Sequence, residues 1–592
     1  MNETRTRSRL GHYATRTLAV IGGAVVVLLL VALVFTVILA DRVPRRTILE
    51  LDLAPGLMEW APQEPVALAL MRDQLRVRDV VEALERGAGD RRVRGLVARV
   101  GTAELPLAVV EELRDAVLAF RASGKPAVLF AESFGELMPG HARYYLATAF
   151  EEIVMQPSGD VGVAGLAAWT PFLAGTLERL GVEAEMDHRH EYKDALYLWT
   201  EREHTPEQRE ALLAIVETFH GRLVAGLAQG RGMDESTARS VLDAGPYWGE
   251  EAIAAGLVDR LGYRDQVYQG LRERVGGGDF LFVQRYLARA GRPHRRGPTI
   301  ALVYGVGAVM PGQSRFDPVF GQVMGSESVA AALREAIRDD DVRAIVFRVE
   351  SPGGSYVASD AIWREVIRAR EAGKPVIVSM GSVAGSGGYF VAMGADRIVA
   401  QPSTITASIG VVGGKFATAD FWEQLGVTWD GVEVGDNAGF WSMIREYTPA
   451  ERERRDDWLD RVYEDFTGRV ATGRDMTPAA VDAVARGRIW SGEDALRLGL
   501  VDELGGFPTA LRLAREAAGI EPDAPVRLRL IPEDVGLLRL LLRGPRESGW
   551  ATRGAGAAAV ARSLQPLLEP LRAAGVIRPP GALVIPPGSW IH

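Results

Sequence analysis

The hydrophobic pattern of the chain alternates between two kinds of segment. Leu96–Val100 and Ala344–Val349 are short apolar runs rich in β-branched residues, without regular alternation of polar and apolar positions. Val110–Arg121 and Ser359–Ala372 instead carry apolar residues at the spacing of an amphipathic helix. Strands that are apolar on both sides and separated by helices are typical of a sheet covered on both faces. The pattern therefore predicts an α/β fold.

One apolar run is much longer than the others. Leu18–Ala40 contains no charged residue and has about the length that a helix needs to cross a bilayer. A signal peptide is the competing interpretation, but its apolar region is normally shorter, about 7 to 15 residues. Arginines at positions 5, 7, 9 and 16 favour a cytoplasmic N-terminus, although arginines at 42, 45 and 46 follow the run. We expect residues 1–17 in the cytoplasm, a single span over 18–40, and the rest outside.

The two halves of the chain resemble each other. The letters VRGLVARV from Val93 correspond to VRAIVFRV from Val342, and YYLATAFEEIVMQPS from Tyr144 corresponds to YFVAMGADRIVAQPS from Tyr389. Matches that recur in order over such lengths indicate duplication of a domain rather than a short structural repeat.

The duplication divides the chain. We expect an N-terminal domain over 47–287, a linker rich in Gly, Pro and Arg over 288–299, and a C-terminal domain over 300–533. The tail 534–592 is expected to close the domain with a helix. A helix that contacts the membrane surface or another subunit is the alternative.

Composition narrows the classes of function. The 592-residue chain has a formal net charge of -9 and no cysteine. The acidic balance argues against nucleic acid as a main partner. The absence of cysteine excludes disulfides, thiol catalysis and cysteine-bound metal. Its glycine-rich stretches fit neither a phosphate-binding loop nor a dinucleotide fingerprint, so we expect no cofactor.

A serine lies among glycines in MGSVAGSGGYF, which follows the apolar run PVIVS. A bare serine between a strand and a helix exposes its hydroxyl and can turn the following N–H groups toward an oxyanion. A flexible turn is the alternative interpretation. Aligning the two halves on Tyr144 and Tyr389 places His141 opposite Ser386, and RVGTAELP opposite RVESPGGS. Both glycine features are confined to the second half, which a purely structural role does not predict.

A serine nucleophile needs a base. None of the eight histidines lies within the glycine-rich core of the second half, although a remote one could fold into the site. Lysine is the other known base for serine. The first half contains Lys193 in HEYKDAL, whereas the second half has GDNAGFW in that place. The serine survives in one copy and the lysine in the other, which indicates one composite site.

These motifs resemble those of a family: the long, tandem form of signal peptide peptidase A, a membrane-bound Ser-Lys protease of the Clp protease/crotonase superfamily. SPGGS, GSGGYF, QPSTITASIGVVG and EYKDA occur in the order of that family, from about Asp90 to Gly505. The resemblance implies Ser386 as nucleophile, Lys193 as general base, and Ser408 as the hydroxyl that orients the lysine. It also implies an oxyanion hole formed by the N–H groups of Gly354 and Gly387.

The lysine segment departs from the usual pattern of that family. His190, Asp194 and Tyr197 stand where glycine, serine and glutamate are common. An Asp194 carboxylate directed at Lys193 would stabilise the ammonium and weaken the base. We expect the segment to be a short strand, in which neighbouring side chains point to opposite faces, so that Asp194 points away.

The resemblance also implies substrates, assembly and location. We expect cleavage of signal peptides and other apolar membrane-derived peptides by a homo-oligomer, a tetramer by family resemblance. The expected location is the bacterial cytoplasmic (inner) membrane, with the catalytic domains on the periplasmic side.

Other functions remain as alternatives. A zinc site at His188 and His190 has no third ligand at usable spacing, so we expect no metal. An acyl-CoA hydratase or isomerase is disfavoured by the predicted anchor, the Ser-Lys pairing and the duplication. A catalytically silent membrane scaffold that binds apolar peptides is the alternative from another class.

Overall fold

Both halves of the chain fold as strands alternating with helices. The computed structural model describes residues 42–60, 74–136, 138–317, 321–522, 524–533 and 590–591. The helices of the first repeat are α1 (Val77–Gly89), α2 (Leu107–Ala122), α3 (His141–Ala147), α4 (Ala174–Arg179), α5 (Tyr197–Thr200), α6 (Pro206–Arg231), α7 (Glu235–Ala244), α8 (Gly249–Ala254), α9 (Arg264–Arg274) and α10 (Val283–Ala290), with a 3-10 helix at Asp194–Leu196. Its strands are β1 (Thr47–Asp52), β2 (Leu57–Met58), β3 (Leu75–Arg76), β4 (Val93–Val100), β5 (Ala127–Ala131), β6 (Glu152–Met155), β7 (Asp160–Val161), β8 (Ala168–Trp169), β9 (Glu183–His188), β10 (Tyr247–Trp248), β11 (Arg260–Leu261) and β12 (Asp279–Phe282).

The second repeat has the same kind of order. Its helices are α11 (Ser326–Arg338), α12 (Tyr356–Glu371), α13 (Gly387–Phe390), α14 (Ala419–Gln424), α15 (Pro449–Gly473), α16 (Pro478–Val484), α17 (Gly492–Arg497) and α18 (Phe507–Ala517). Its strands are β13 (Thr299–Val306), β14 (Ala308–Met310), β15 (Arg315–Asp317), β16 (Gly321–Gly325), β17 (Val342–Ser351), β18 (Val376–Gly385), β19 (Arg397–Ala400), β20 (Ile405–Ala407), β21 (Val412–Ala417), β22 (Ile489–Ser491), β23 (Glu503–Leu504), β24 (Arg527–Leu530) and β25 (Trp590–Ile591).

The two repeats contain the same central sheet. The first has the parallel order β11-β6-β5-β4-β1-β12, and the second has β23-β19-β18-β17-β13-β24. The central strands are buried along most of their length, as Phe347 and Leu96 are, because helices cover both faces. The α/β fold predicted from the unalternating apolar runs is therefore confirmed. The predicted helix Ser359–Ala372 begins earlier, at Tyr356, because the Ser355 side chain accepts the N–H of Ala358 and caps it.

The repeats differ beside the central sheet. In the second repeat β18 is 10 residues long, and its last part pairs with β20, which pairs in turn with β22. In the first repeat β5 is 5 residues long, and the corresponding strands β7 and β10 form a separate two-stranded sheet. The longer β18 ends at Gly385, so the extra part of the strand leads directly to Ser386, the nucleophile expected from the sequence.

The repeats are joined by a shared sheet and by a buried charge cluster. β9 of the first repeat pairs antiparallel with β21 of the second, from Glu183 opposite Ala417 to His188 opposite Val412. Arg348 of β17 donates to the carboxylates of Glu59 and Glu112, which belong to the first repeat. Nearby, Trp60 stacks on Tyr304 with ring centroids 4.9 Å apart. These contacts bring the lysine segment of one repeat against the serine of the other.

The predicted membrane span 18–40 lies outside the described residues, as does all of the tail 534–592 except β25, which pairs with β8. By length and composition, α6 is the one described helix that could cross a bilayer. Half of its most apolar stretch is buried inside the protein, where Leu212, Ile215 and Leu223 pack, as expected of a core helix.

Candidate active site

Ser386 lies on a sharp turn between β18 and α13. Its backbone has φ 51° and ψ -117°, a strained conformation that few residues other than glycine adopt. The N–H of Ser386 donates to the carbonyl oxygen of Ala407 at 2.7 Å, which ties the turn to β20. A Cβ at Gly353 would lie 2.7 Å from the Ser386 Cβ, so only glycine allows this approach. The turn presents the hydroxyl beyond the end of the strand, as the glycine-flanked serine predicted.

Lys193 lies in a turn and not in the predicted strand. β9 ends at His188, His190 has φ 65°, and a 3-10 helix begins at Asp194. The strand prediction was wrong because the left-handed backbone at His190 and a hydrogen bond from Tyr192 N to the Arg486 carbonyl divert the chain.

Glycines of the second repeat crowd the lysine. A Cβ at Gly487 would lie 2.4 Å from the Cβ of Lys193, and a Cβ at Gly410 would lie 3.0 Å from its Cδ. These two glycines allow the aliphatic part of Lys193 to pass between backbone segments. Neither glycine is predicted from the sequence, although Gly487, an isolated glycine just before β22, is a signal that could have been used.

The structure brings Lys193, Ser386 and Ser408 together. Lys193 Nζ lies 3.1 Å from the Oγ of Ser386, 2.8 Å from the carbonyl oxygen of Ser408 and 2.9 Å from the Ser408 Oγ. The lysine is 3% exposed. Burial lowers its pKa to about 8, because an ammonium group loses hydration there. At pH 7 about a tenth of the amine is therefore neutral, a far larger fraction than for a lysine with its ordinary pKa.

Asp194 does not form an ion pair with Lys193 in the described part of the chain. Its carboxylate accepts a hydrogen bond from Gln208 Nε2 at 3.2 Å, and burial raises its pKa. The Asp194 charge nevertheless raises the pKa of Lys193 and opposes part of the burial effect. The Asp194 carboxyl thus points away from the Lys193 amine, as expected. The cause is the turn at Lys193 and not the alternation of side chains along a strand.

Gly354 and Gly387 are neighbours on the serine side of the site. A Cβ at Gly387 would lie 3.1 Å from the backbone nitrogen of Gly354. Gly354 has φ 148°, and a Cβ there would lie 2.2 Å from the carbonyl oxygen of Val309. Within the described residues, neither backbone N–H donates a hydrogen bond to the protein. Two N–H groups beside the serine hydroxyl are therefore available to an acceptor on a bound molecule.

His188 and His190, considered above as zinc ligands, make other contacts. His188 Nδ1 lies 2.7 Å from the carbonyl oxygen of His190, and the His190 ring packs on Tyr463. In the described ranges, the potential metal-binding group is instead Glu183, Glu185 and Glu446. Arg452 bonds to Glu185 and Glu446, so a cation already lies beside these carboxylates.

A serine on a strained turn after a central strand, with a buried lysine amine at its hydroxyl, is an arrangement suited to a serine peptidase. The chain belongs to peptidase family S49, whose model matches residues 119–276 and 368–521, once in each repeat. The first match includes Lys193 and the second includes Ser386.

Three relatives match this chain across both repeats. The chain is 31% identical to Protease 4 of Salmonella typhi over 487 residues, which is 78% of this chain and 77% of that protein. It is 29% identical over 463 residues to the chloroplastic serine protease SPPA of Arabidopsis thaliana, covering 77% and 67% of the two chains. Protease 4 of Haemophilus influenzae is 28% identical over 471 residues, covering 76% and 74%. The chain is a serine protease of the long, two-repeat form.

Proposed function

We propose that the protein is an endopeptidase in which Ser386 is the nucleophile and Lys193 the general base. The observation that supports this most directly is the 3.1 Å distance between Lys193 Nζ and Ser386 Oγ. A base must lie within hydrogen-bond reach of the proton that it removes, and it must be uncharged. The buried lysine lies within that reach, and its lowered pKa makes the uncharged form accessible near neutral pH.

Ser408 orients the base in this proposal. A neutral amine has two N–H donors and one lone pair. The Ser408 carbonyl and hydroxyl oxygens lie where they can accept both N–H groups, at 2.8 and 2.9 Å. The lone pair is then directed at the Ser386 hydroxyl. Ser408 has φ 51° and its N–H donates to the Arg488 carbonyl, so the backbone holds both oxygens in place.

The reaction proceeds in two halves. Lys193 takes the Ser386 proton as Oγ attacks the peptide carbonyl, and the N–H groups of Gly354 and Gly387 bind the oxyanion. The ammonium then protonates the leaving amine, and the C–N bond breaks to give an acyl-enzyme. Water, deprotonated by the neutral lysine, attacks the ester and releases Ser386. We also infer that both repeats belong to the Clp protease/crotonase superfamily, because they share one order of parallel strands and the second repeat places glycine N–H groups at the end of that sheet.

We propose signal peptides and other apolar, membrane-derived peptides as substrates. The apolar run 18–40 would hold the catalytic repeats at the extracytoplasmic face of the bacterial inner membrane, as a single-pass anchor. A relative from Enterococcus faecium, 33% identical over 181 residues, carries the name putative signal peptide peptidase SppA. Peptides derived from the membrane would be within reach of repeats anchored at the extracytoplasmic face.

We further propose that the protein forms a homo-oligomer. The segment after α14 exposes apolar side chains: Val432 is 98% exposed, Val434 92% and Trp441 82%. In the alignment of the repeats this segment corresponds to β9, which in the first repeat pairs with β21. A second copy offers the counterpart of β21, around β8; among the described residues β8 pairs with β25 alone, which leaves its other edge open to the exposed segment. Light scattering of Val432→Asp should then give a smaller particle than the wild type.

The test of the peptidase proposal is cleavage of a quenched, leucine-rich signal peptide. Ser386→Ala and Lys193→Ala should each lower kcat/KM by roughly 10³-fold or more, while circular dichroism and melting stay close to wild type. Ser240→Ala, at an exposed serine of α7, is the matched control and should retain most of the activity. Full activity in a folded Lys193→Ala would place the base elsewhere. A folded, assembled wild type that binds the peptide without cleaving it would favour the silent scaffold.

A further inference from the structure

The two central strands of the second repeat lose their register beside the active site. β17 and β18 pair regularly up to Val349 opposite Met380, and the next pair is Ser351 opposite Ala384. One residue of β17, Glu350, therefore faces three residues of β18. A ladder broken in this way leaves backbone N–H groups without their usual strand acceptor.

The Glu350 carboxyl fills this break. One of its oxygens accepts the N–H of Ser382 at 2.5 Å. A Cβ at Gly381 would lie 2.0 Å from the same oxygen, so the carboxyl occupies the space that any side chain there would need. Beyond the break, β18 continues through Val383–Gly385 alongside β20 and ends directly before Ser386.

The first repeat shows the arrangement without this carboxyl. There β4 and β5 stay in register to their last pair, Val100 opposite Ala131, and β5 stops. Gly101 stands in the place of Glu350, and His141 in the place of Ser386. The break, the glutamate and the serine therefore occur together in one repeat and are all missing from the other.

The surroundings of Glu350 favour its neutral form. Burial and the neighbouring Glu59 carboxylate raise its pKa, while the hydrogen bond from the Ser382 N–H and the charge of Arg348 act in the opposite direction. Arg348 is already held by Glu59 and Glu112. A protonated carboxyl has nearly the shape of a glutamine amide, and each offers one oxygen to the Ser382 N–H.

We propose that Glu350 is a positioning residue for the active site: its carboxyl holds the segment Gly381–Gly385 in the shape that places Ser386 against Lys193. The proposal rests on the function proposed above for these two residues. Glu350 touches no reacting atom. It acts through the backbone of β18.

The first experiment compares Glu350→Ala with Glu350→Gln in the full-length protein. Alanine leaves the Ser382 N–H buried without an acceptor, so kcat should fall roughly 10- to 100-fold with KM changed less than about twofold. Glutamine keeps the acceptor and should stay within about threefold of wild type. Labelling of Ser386 by a fluorophosphonate should slow in parallel with kcat.

A double-mutant cycle separates positioning from general destabilisation. Gly381→Ala pushes the carboxyl out of its place and should lower kcat about as much as Glu350→Ala does. In Glu350→Ala the obstructing oxygen is gone, so adding Gly381→Ala should cost little more. Glu365→Ala, which removes a buried carboxylate paired with Arg334 and Arg368, should lower the melting temperature without lowering kcat.

The outcomes are distinguishable. Wild-type kcat in a folded Glu350→Ala, or equal losses in the Gln and Ala variants, would overturn the positioning role while leaving the peptidase intact. Additive losses in the double mutant would do the same. Activity that survives Ser386→Ala would instead overturn the function on which the proposal rests.

Discussion

The two repeats share the features that hold the fold together and differ in those that form the site. Tyr144 donates to the Leu257 carbonyl, and Tyr389 donates in the same way to that of Leu500. The lysines at 125 and 374 each bind carbonyl groups at the end of a helix. Arg231 pairs with Asp259 as Arg474 does with Asp502. Duplicated contacts of this kind indicate a structural requirement.

The site, by contrast, is divided between the copies. The second repeat contributes Ser386, Ser408 and the glycine loops, and the first contributes Lys193 through a turn that reaches across the shared sheet β9–β21. Neither repeat contains both groups. One copy has the serine and the other the lysine, so the activity proposed above depends on how the repeats are held together.

The largest effect on stability should come from the charge cluster between the repeats. Arg348 is 3% exposed and holds Glu59 and Glu112, whereas its counterpart Arg99 is 24% exposed and pairs with Asp52. Arg348→Ala leaves two buried carboxylates without a cation and should cost about 3–5 kcal/mol. Arg99→Ala should cost about 1 kcal/mol or less.

Thermal melting of the two variants measures this difference. The triple change Arg348→Met, Glu59→Gln and Glu112→Gln is the control, because it removes all three charges and should recover much of the lost stability. Equal destabilisation by Arg348→Ala and Arg99→Ala would mean that the cluster is no more important than its exposed counterpart.

A smaller effect, on activity alone, should follow from crowding the lysine across the repeat boundary. Gly487 has φ 86°, and a Cβ there would lie 2.4 Å from the Lys193 Cβ. Gly487→Ala should displace the base and lower kcat/KM by roughly 10²-fold. Gly499→Ala is matched in backbone, with φ 76°, but has open space around it and should leave kcat/KM unchanged. Similar activity in the two variants would show that Lys193 is not held by the second repeat.

Much of the fold, and the division of the site between the repeats, could be predicted from the sequence. A strand buried on both faces gives an unalternating apolar run, so such runs predicted β4 and β17. The order of matching motifs predicted the duplication. The absence of the glycines from the first copy identified Ser386, and the absence of a lysine from the second identified Lys193. The roles of these residues stay predictions until the variants are measured.

The features that the sequence did not predict depend on contacts between distant parts of the chain. The turn at Lys193 is imposed by the Arg486 carbonyl, and no local pattern indicates it. The three-residue break opposite Glu350 is a relation between two strands and is invisible in either strand alone. The contrast between Glu350 and Gly101 was present in the aligned sequences. The role of Glu350 can be inferred only from the pairing of β17 with β18.

A further prediction concerns pH. Because Lys193 must be neutral to accept a proton and its pKa is about 8, kcat/KM should rise with pH through about 8. Asp194 raises that pKa, so Asp194→Asn should move the rise to lower pH and increase kcat/KM below it roughly two- to tenfold. Asp482→Asn, an exposed carboxylate paired with Arg486, should leave the profile in place. An unshifted profile in Asp194→Asn would mean that this carboxyl is already neutral.

The smallest effect tests the duplicated contacts themselves. Tyr144→Phe and Tyr389→Phe each remove one hydroxyl and leave a buried leucine carbonyl without its donor, at 2.7 and 3.0 Å respectively. Each should cost about 1 kcal/mol, since the two environments are alike. Tyr389 lies three residues after Ser386, yet its hydroxyl is directed away to Leu500, so both variants should keep kcat/KM within about twofold. A selective loss of activity in Tyr389→Phe would mean that this tyrosine, although duplicated, supports the nucleophile as well as the fold.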